Sequence, residues 1–283
     1  MMDARNIESL TERGEFYLCL ARAFLTPHTV QAFDGLHDAL ADDLAELATS
    51  LGFACADALA DYRAAIAAIA DHPALLERYS GLFVAPPRAI QINTACYLDG
   101  ALNGGTVAAM DEAYRRCGVE RDADFHDLSD HVSVQLEFVA LLYLHSAEAL
   151  ESGAALPQVR PEHFLHDYVA RWLPHFIRDL EAADAAPNPW LPLAHVLAAA
   201  VAHDSRAEAL PPAEVRARRA IGKARHERAE RGVTAEDMEF IARKLREKGL
   251  STDHLAIPPE RRDEAQGYSR GTPPGPRKGS RYE

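Results

Sequence analysis

The sequence has no long hydrophobic run, since none of its apolar stretches reaches the roughly eighteen uncharged residues that a membrane-spanning helix requires. The N-terminal residues MMDARNIESLTERGE contain neither the basic segment nor the apolar segment of a secretory signal. Cysteines without C-x-x-C spacing are typical of reduced thiols, and this chain has four: Cys19, Cys55, Cys96 and Cys117. These absences predict a cytoplasmic protein with no membrane span.

Lysine is absent from the first 212 residues of the 283-residue chain. This part holds 13 arginines and 31 acidic residues, a net charge of −18, whereas residues 213–283 hold 17 basic and 12 acidic residues, a net charge of +5. An acidic body repels the phosphates of nucleic acids and attracts basic peptides. The charge argues against a nucleic-acid partner, although taken alone it is explained more simply by solubility.

Aromatic residues make up only 7% of the chain, and no stretch of useful length alternates polar and apolar residues as a β-strand does. Alanine is abundant, and the apolar content of 48% is enough for a core. The sequence therefore predicts an all-α fold. Apolar periodicity with proline and glycine stops predicts a long ordered loop over residues 85–105 and helices over 7–24, 30–50, 57–70, 73–85, 106–117, 161–183 and 190–209.

The central apolar stretch covers residues 127–150, and its apolar residues form two stripes with helical spacing: Val132, Leu136, Val139 and Tyr143 on one face, and Val134, Phe138 and Leu141 on another. A helix that is apolar on two faces has to be covered on both sides, so this one is predicted in the middle of the domain. Ser129 or Asp130 can cap its first turn. Asp130 and His131 are then expected together at an exposed mouth.

Three short motifs follow one another along the chain: Tyr79-x-x-Leu82-Phe83, Tyr97-Leu98-Asp99-Gly100 and Asp130-His131-x-x-x-Gln135-Leu136-x-Phe138. They resemble, in the same order, the Y-x-x-L-F segment, the end of the P-Y-x-S-x-Y segment and the E-P-D-H…E-L-x-F segment of the TorD/DmsD/NarJ family of redox-enzyme maturation chaperones. The resemblance covers roughly residues 13–209. Departures from the family's Glu-Pro and Pro, Tyr and Ser occur at Leu128 and Ser129 and at Ile92, Asn93 and Ala95.

The resemblance implies a single TorD-like helical-bundle domain over residues 6–210, and composition adds a basic helical extension over 211–249 and a disordered tail over 250–283. It also implies a cytoplasmic chaperone that is no enzyme and has neither catalytic residues nor a cofactor. The implied partner is the apo catalytic subunit of a molybdenum enzyme of the dimethyl-sulfoxide-reductase type. The chaperone would bind it, twin-arginine leader included, until cofactor insertion and assembly or export, as a monomer or weak dimer.

Five residues in these motifs are the candidate client contacts. Asp130 and His131 would anchor a bound peptide, since a carboxylate suits a basic ligand and a histidine can donate or accept a hydrogen bond. Tyr79 and Tyr97 each combine a ring with a polar tip, which suits the lining of an apolar groove. Gln135 completes the set through its place in the third motif. No metal ligand is predicted among them.

Two other functions fit parts of the sequence. His-Asp pairs occur at 37–38, 126–127, 166–167 and 203–204, and all-α metal-dependent phosphohydrolases of the HD type bind metal through H…HD…D sets. His163 lies one turn before His166 and adds a second pair on one helix face. Nothing in the spacing brings these pairs together, and polar neighbours are ordinary on the solvent face of an amphipathic helix. The remaining alternative is a helical adaptor that binds through its basic C-terminal extension.

Overall fold

The computed structural model describes residues 2–85, 90–102, 104–120, 127–183 and 186–205. Within these ranges the chain forms helices and one isolated β-bridge but no strand, which confirms the all-α prediction. Three π-turns also occur, at Gly35–Ala39, Ser80–Val84 and Leu165–Val169. The helices are α1 (Met2–Ala23), α2 (Val30–Asp34), α3 (Leu40–Leu51), α4 (Ala56–Ala67), α5 (His72–Tyr79), α6 (Ala95–Asp99), α7 (Gly105–Arg116), α8 (Val132–Ser152), α9 (Pro161–Phe164), α10 (Ala170–Ala182) and α11 (Trp190–Asp204).

Local capping explains where several helices begin and end. The side chain of Thr29 accepts a hydrogen bond from the Ala32 amide at 3.1 Å and starts α2, and the Asp71 carboxylate does the same for Ala74 at 2.9 Å and starts α5. Gly52 ends α3 in the left-handed conformation, with φ at +79°, which a residue with a Cβ rarely adopts. The glycine stop predicted here is confirmed.

Several of the predicted elements differ from the structure. The helices expected over 30–50, 73–85 and 161–183 each include a π-turn, the helix expected over 7–24 begins at Met2, and the loop expected over 85–105 contains the short helix α6. Apolar periodicity indicates that a segment is helical. It does not distinguish an α-helical turn from a π-turn with one extra residue, and it does not reveal a single turn of helix inside a loop. Pro174 lies inside α10, and the departure from α-helical geometry comes a turn earlier, at Leu165–Val169.

The first predicted stripe of the central helix α8 is buried throughout, whereas in the second Phe138 is buried and Val134 and Leu141 are partly buried. Along one side it packs closely on α1, where Gly14 lies so near α8 that an added Cβ would come within 2.7 Å of Leu144. The Tyr17 and Tyr143 rings of these two helices stack with centroids 5.8 Å apart. On another side the Phe138 ring lies 4.6 Å from that of Tyr114 and 4.9 Å from that of Phe164, on α7 and α9.

A buried carboxylate fastens the end of α11 to α1. Asp204 accepts a hydrogen bond from the Tyr17 hydroxyl at 2.9 Å, forms an ion pair with Arg13 and contacts Nδ1 of His203 at 2.9 Å. The charge is thus paired and hydrogen-bonded, which a buried carboxylate requires. His126 of the 126–127 pair, the extension over 211–249 and the tail over 250–283 lie outside the described residues. The domain boundaries stay a prediction.

Candidate functional site

The second and third sequence motifs are brought together by a short segment, residues 90–94, which we call the strap. The amide of Thr94 donates to the Asp130 carbonyl and the amide of Val132 donates to the Ile92 carbonyl, each at 3.1 Å. Asn93 and His131 therefore face each other as an antiparallel bridge. The strap lies along the start of α8 and covers its first turn.

Asp130 is completely buried, so the prediction that it lies at an exposed mouth is wrong. Its carboxylate accepts hydrogen bonds from the Ala95 amide at 2.8 Å and from the Asn93 side chain at 3.4 Å. Burial raises the pKa of Asp130, and these donors partly offset the increase because they favour the charged form. The carboxylate holds the strap and the first turn of α6 against α8.

His131 is also buried, with 4% of its surface exposed, and it caps α8 in place of the predicted Ser129 or Asp130. Its Nδ1 accepts a hydrogen bond from the Ser133 amide at 3.1 Å, which requires Nδ1 to carry no proton. Burial lowers the pKa of His131 to about 4, in agreement with that geometry. The ring is therefore a neutral cap at neutral pH, and the sequence prediction of an exposed histidine is wrong.

Gln135 connects the strap to α10 inside the core, where it is completely buried. Its amide nitrogen donates to the Thr94 hydroxyl at 2.6 Å and to the Asp130 carbonyl at 2.7 Å. Its amide oxygen accepts from the indole nitrogen of Trp172 at 3.0 Å. The side chain thus links three elements, and we call the contacts of Thr94, Asp130, Gln135 and Trp172 the Gln135 network.

Tyr79 belongs to the core as well, although its polar tip suggested a groove. It is 1% exposed, and its hydroxyl donates to the Phe24 carbonyl at 3.1 Å. Burial raises the pKa of Tyr79 to about 12. Four of the five predicted contacts (Tyr79, Asp130, His131 and Gln135) are thus held inside the molecule, and direct contact with a client stays a prediction for each.

Tyr97, the fifth predicted contact, reaches the surface. It is half-buried, and its ring stacks on that of His175 with centroids 6.4 Å apart and planes 11° from parallel. Its hydroxyl is buried close to the Asp179 carboxylate and the Gln91 backbone, and it makes no hydrogen bond of good geometry among the described residues. Burial, followed by the nearby carboxylate of Asp179, raises the pKa of this hydroxyl. Part of the side chain is therefore available to a partner, whereas the hydroxyl is buried.

Three residues of α10 that the sequence motifs missed complete this area. His175 and Arg178 are exposed, and a guanidinium nitrogen of Arg178 lies 2.8 Å from Nδ1 of His175. Asp179 is partly exposed beside Tyr97. These four residues, Tyr97, His175, Arg178 and Asp179, are called the Tyr97 surface below. The signal in the sequence was present, because His175 and Asp179 are four residues apart on the polar face of an amphipathic helix.

A cluster of buried aromatic rings lies beneath the Tyr97 surface. The Phe176 ring lies 6.3 Å from the rings of Tyr97 and Phe83 and 5.9 Å from that of Phe24. These ring contacts hold Tyr97 against the core.

The motif Tyr97-Leu98-Asp99-Gly100 has a structural explanation beyond Tyr97. The Asp99 carboxylate accepts hydrogen bonds from the amide and the hydroxyl of Thr106, both at 2.7 Å, and so fixes the first turn of α7. Gly100 ends α6 with φ at +72°, in the left-handed region. The motif presents one ring at the surface and uses its last two residues to turn the chain.

Within the described ranges, no group of three or more His, Cys, Asp or Glu side chains could hold a metal ion, and the His-Asp pairs there lie on separate elements. No helix in those ranges is both long and apolar enough for a bilayer. The described site consists of rings and charged groups at the surface, supported by the buried Gln135 network. Such a surface, on an all-α bundle, suits a protein that binds other chains.

Comparison with known sequences agrees with this class. A family model described as nitrate reductase delta subunit matches residues 34–178, about half of the chain, and the chain belongs to that family. The earlier resemblance to the TorD/DmsD/NarJ family is thereby confirmed, and this is a family of chaperones rather than enzymes.

The chain is similar to the chaperone protein TorD of Photobacterium profundum, with 26% identity over 111 residues. The matched part is 38% of this chain and 51% of the relative, so the chain spans about half the length of the curated relative it matches. No solved structure matches.

Proposed function

We propose that this protein is a cytoplasmic chaperone for the maturation of a molybdenum enzyme. Its client is the apo catalytic subunit of an enzyme of the dimethyl-sulfoxide-reductase type, held until cofactor insertion and assembly or export. The match of residues 34–178 to a chaperone family carries this proposal. A function based on binding is also consistent with a site built from rings and charges.

The Tyr97 surface is the proposed place of first contact with the client. The stacked rings of Tyr97 and His175 provide a flat face for an apolar or guanidinium group, and Asp179 beside them provides a negative charge. Residues 1–212 carry a net charge of −18, which attracts a basic segment such as a twin-arginine leader over a longer range. In this proposal the Gln135 network does not make this first contact but holds α6 and α10 in place.

A double substitution on α10 tests the proposed contact. Replacing His175 and Asp179 with alanine removes one stacking face and the carboxylate while leaving the core residues unchanged. We expect binding of the apo catalytic subunit to weaken by about tenfold or more, the range for losing charged and stacking contacts. Calorimetry or surface plasmon resonance would measure this, using each molybdenum-enzyme catalytic subunit of the source organism produced without cofactor.

The matched control is the pair His145→Ala and Glu148→Ala, which also removes an exposed histidine and an exposed acid but from α8. Both double variants should melt within a few degrees of the unsubstituted protein, because exposed side chains contribute little to stability. If the α10 variant binds the subunit as tightly as the control does, the Tyr97 surface is not the contact. If no subunit binds the unsubstituted protein, the proposed function is wrong.

A further inference from the structure

Buried polar groups are concentrated where the strap meets α8. Among the described residues, seven of the ten that are both buried and polar lie either on the strap or in residues 129–135 beside it: Asn93, Thr94, Ser129, Asp130, His131, Ser133 and Gln135. When such a contact separates, each polar group regains hydrogen bonds to water, so separation costs less than for an apolar contact of equal area. The polar part of the contact between the strap and α8 therefore consists of groups that water can also satisfy.

The place that the strap occupies has a defined chemistry. Ile90 and Ile92, at 0% and 4% exposure, are two residues apart and fill the core. The Val132 amide and the Asp130 carbonyl provide one donor and one acceptor to the strap backbone. A peptide with aliphatic side chains two residues apart matches this place, which we call the strap seat.

We propose that the strap seat is a second client-binding site, in which an extended aliphatic segment of the client replaces the strap by β-pairing with residues 130–132. This inference rests on the proposed chaperone function and adds the mode of recognition. Unfolded segments of an apo subunit expose such aliphatic residues, and pairing through the backbone tolerates different side chains. Ser133 supports the proposal, because its hydroxyl is buried without a partner among the described residues and an incoming polar group could satisfy it.

A reversible lock on the strap tests this directly. Asn93 and His131 lie opposite each other in the antiparallel bridge and form no backbone hydrogen bond with each other. At such a position the Cα atoms are about 4.5 Å apart, a distance that a disulfide can span. The variant Asn93→Cys with His131→Cys, and with Cys96→Ser to prevent exchange, has a free strap when reduced and a locked strap when oxidised. Peptide mapping of the bond confirms the locked form.

The first probe is a synthetic peptide with the sequence of residues 89–95, AIQINTA, and a scrambled peptide serves as the control. The reduced form should bind the peptide at least about tenfold more tightly than the oxidised form, because affinity falls in proportion to the fraction of molecules whose seat is open. Equal binding by the two forms, or binding of the scrambled peptide, would overturn the proposal.

The unsubstituted protein provides a second measurement that does not depend on folding of the variant. In hydrogen exchange, the amides of Thr94 and Val132 should exchange at least about tenfold faster than those of Leu136 and Val139 on α8, since strap detachment exposes only the first pair. Equal protection of all four amides would show that the strap opens only with the whole bundle and would contradict the proposal.

The apo catalytic subunit is the last probe, and it separates the two proposals. If reduced and oxidised forms bind the subunit equally well, the strap seat is not used and only this inference fails. If the reduced form binds at least about tenfold more tightly, the seat is part of the client site. If the unsubstituted protein binds no subunit, the proposed function fails, and the peptide measurement still decides whether the seat accepts an extended chain.

Discussion

Replacing Gln135 with alanine is expected to destabilise the protein by about 3–5 kcal/mol, a large effect for a single substitution. The side chain is completely buried and makes three hydrogen bonds, to Thr94, Asp130 and Trp172. The truncation leaves the Trp172 indole N–H and two oxygens without this partner, and it leaves a cavity as well. Urea denaturation at neutral pH would measure the change as a lower midpoint with an unchanged slope.

Glu137→Ala is the matched control, because this residue is exposed on the same helix two positions away and should change stability by less than about 0.5 kcal/mol. A double-mutant cycle with Trp172→Phe identifies the cause. Phenylalanine lacks the indole N–H donor, so both single substitutions remove the same hydrogen bond. Their destabilisations should therefore not add, with a coupling energy of about 0.5–3 kcal/mol. A Gln135→Ala variant as stable as the control would mean that the network does not hold strap and bundle together.

The protein is expected to become less stable as the pH is lowered, over a range set by the pKa of His131. Its pKa is lowered by burial from 6.5 to about 4, so the unfolded chain takes up the proton first as the pH falls. The stability contributed by the neutral ring is complete above about pH 6.5 and is lost between there and about pH 4. By pH 4.5 the loss amounts to about 2–3 kcal/mol, at about 1.4 kcal/mol per pKa unit.

Asp130 acts in the opposite sense, because its pKa is raised and its burial becomes less costly as the pH falls. The His131 contribution is therefore isolated by comparison with His131→Asn, which keeps an N-cap group but does not titrate. The difference in unfolding free energy between the two proteins should shift by about 2–3 kcal/mol from pH 7 to pH 4.5. If NMR instead showed that His131 titrates near pH 6.5, the ring would be exposed to water, as the sequence alone suggested.

Most of the fold followed from local patterns. The two apolar stripes of residues 132–143 predicted a helix covered on both sides, and Gly52 and Pro73 gave boundaries within a residue or so of those in the structure. These features depend on neighbours within a turn or two, which a sequence displays directly. The order of the three motifs was sufficient to identify the family, because it does not depend on side-chain contacts.

The polar part of the site could not be predicted in the same way. An Asp-His pair before an apolar helix has the same local pattern whether it faces water or a strap from 36 residues earlier in the chain, as it does where Thr94 donates to Asp130. The burial of these residues depends on that distant pairing. His175 and Asp179 were missed for the converse reason, since a polar helix face indicates solvent until a neighbouring ring, here Tyr97, is known to lie beside it.

The central claim is that the protein assists maturation of a molybdenum-enzyme catalytic subunit, and the molybdenum content of that subunit tests it most directly. The subunit would be purified from source cells that contain the gene, from cells that lack it, and from cells in which it has been restored with or without the His175→Ala and Asp179→Ala substitutions. The account predicts that molybdenum per subunit falls several-fold without the gene, returns with the unsubstituted protein and returns only in part with the double variant. Equal molybdenum content in every strain, for every such subunit of the cell, would contradict it.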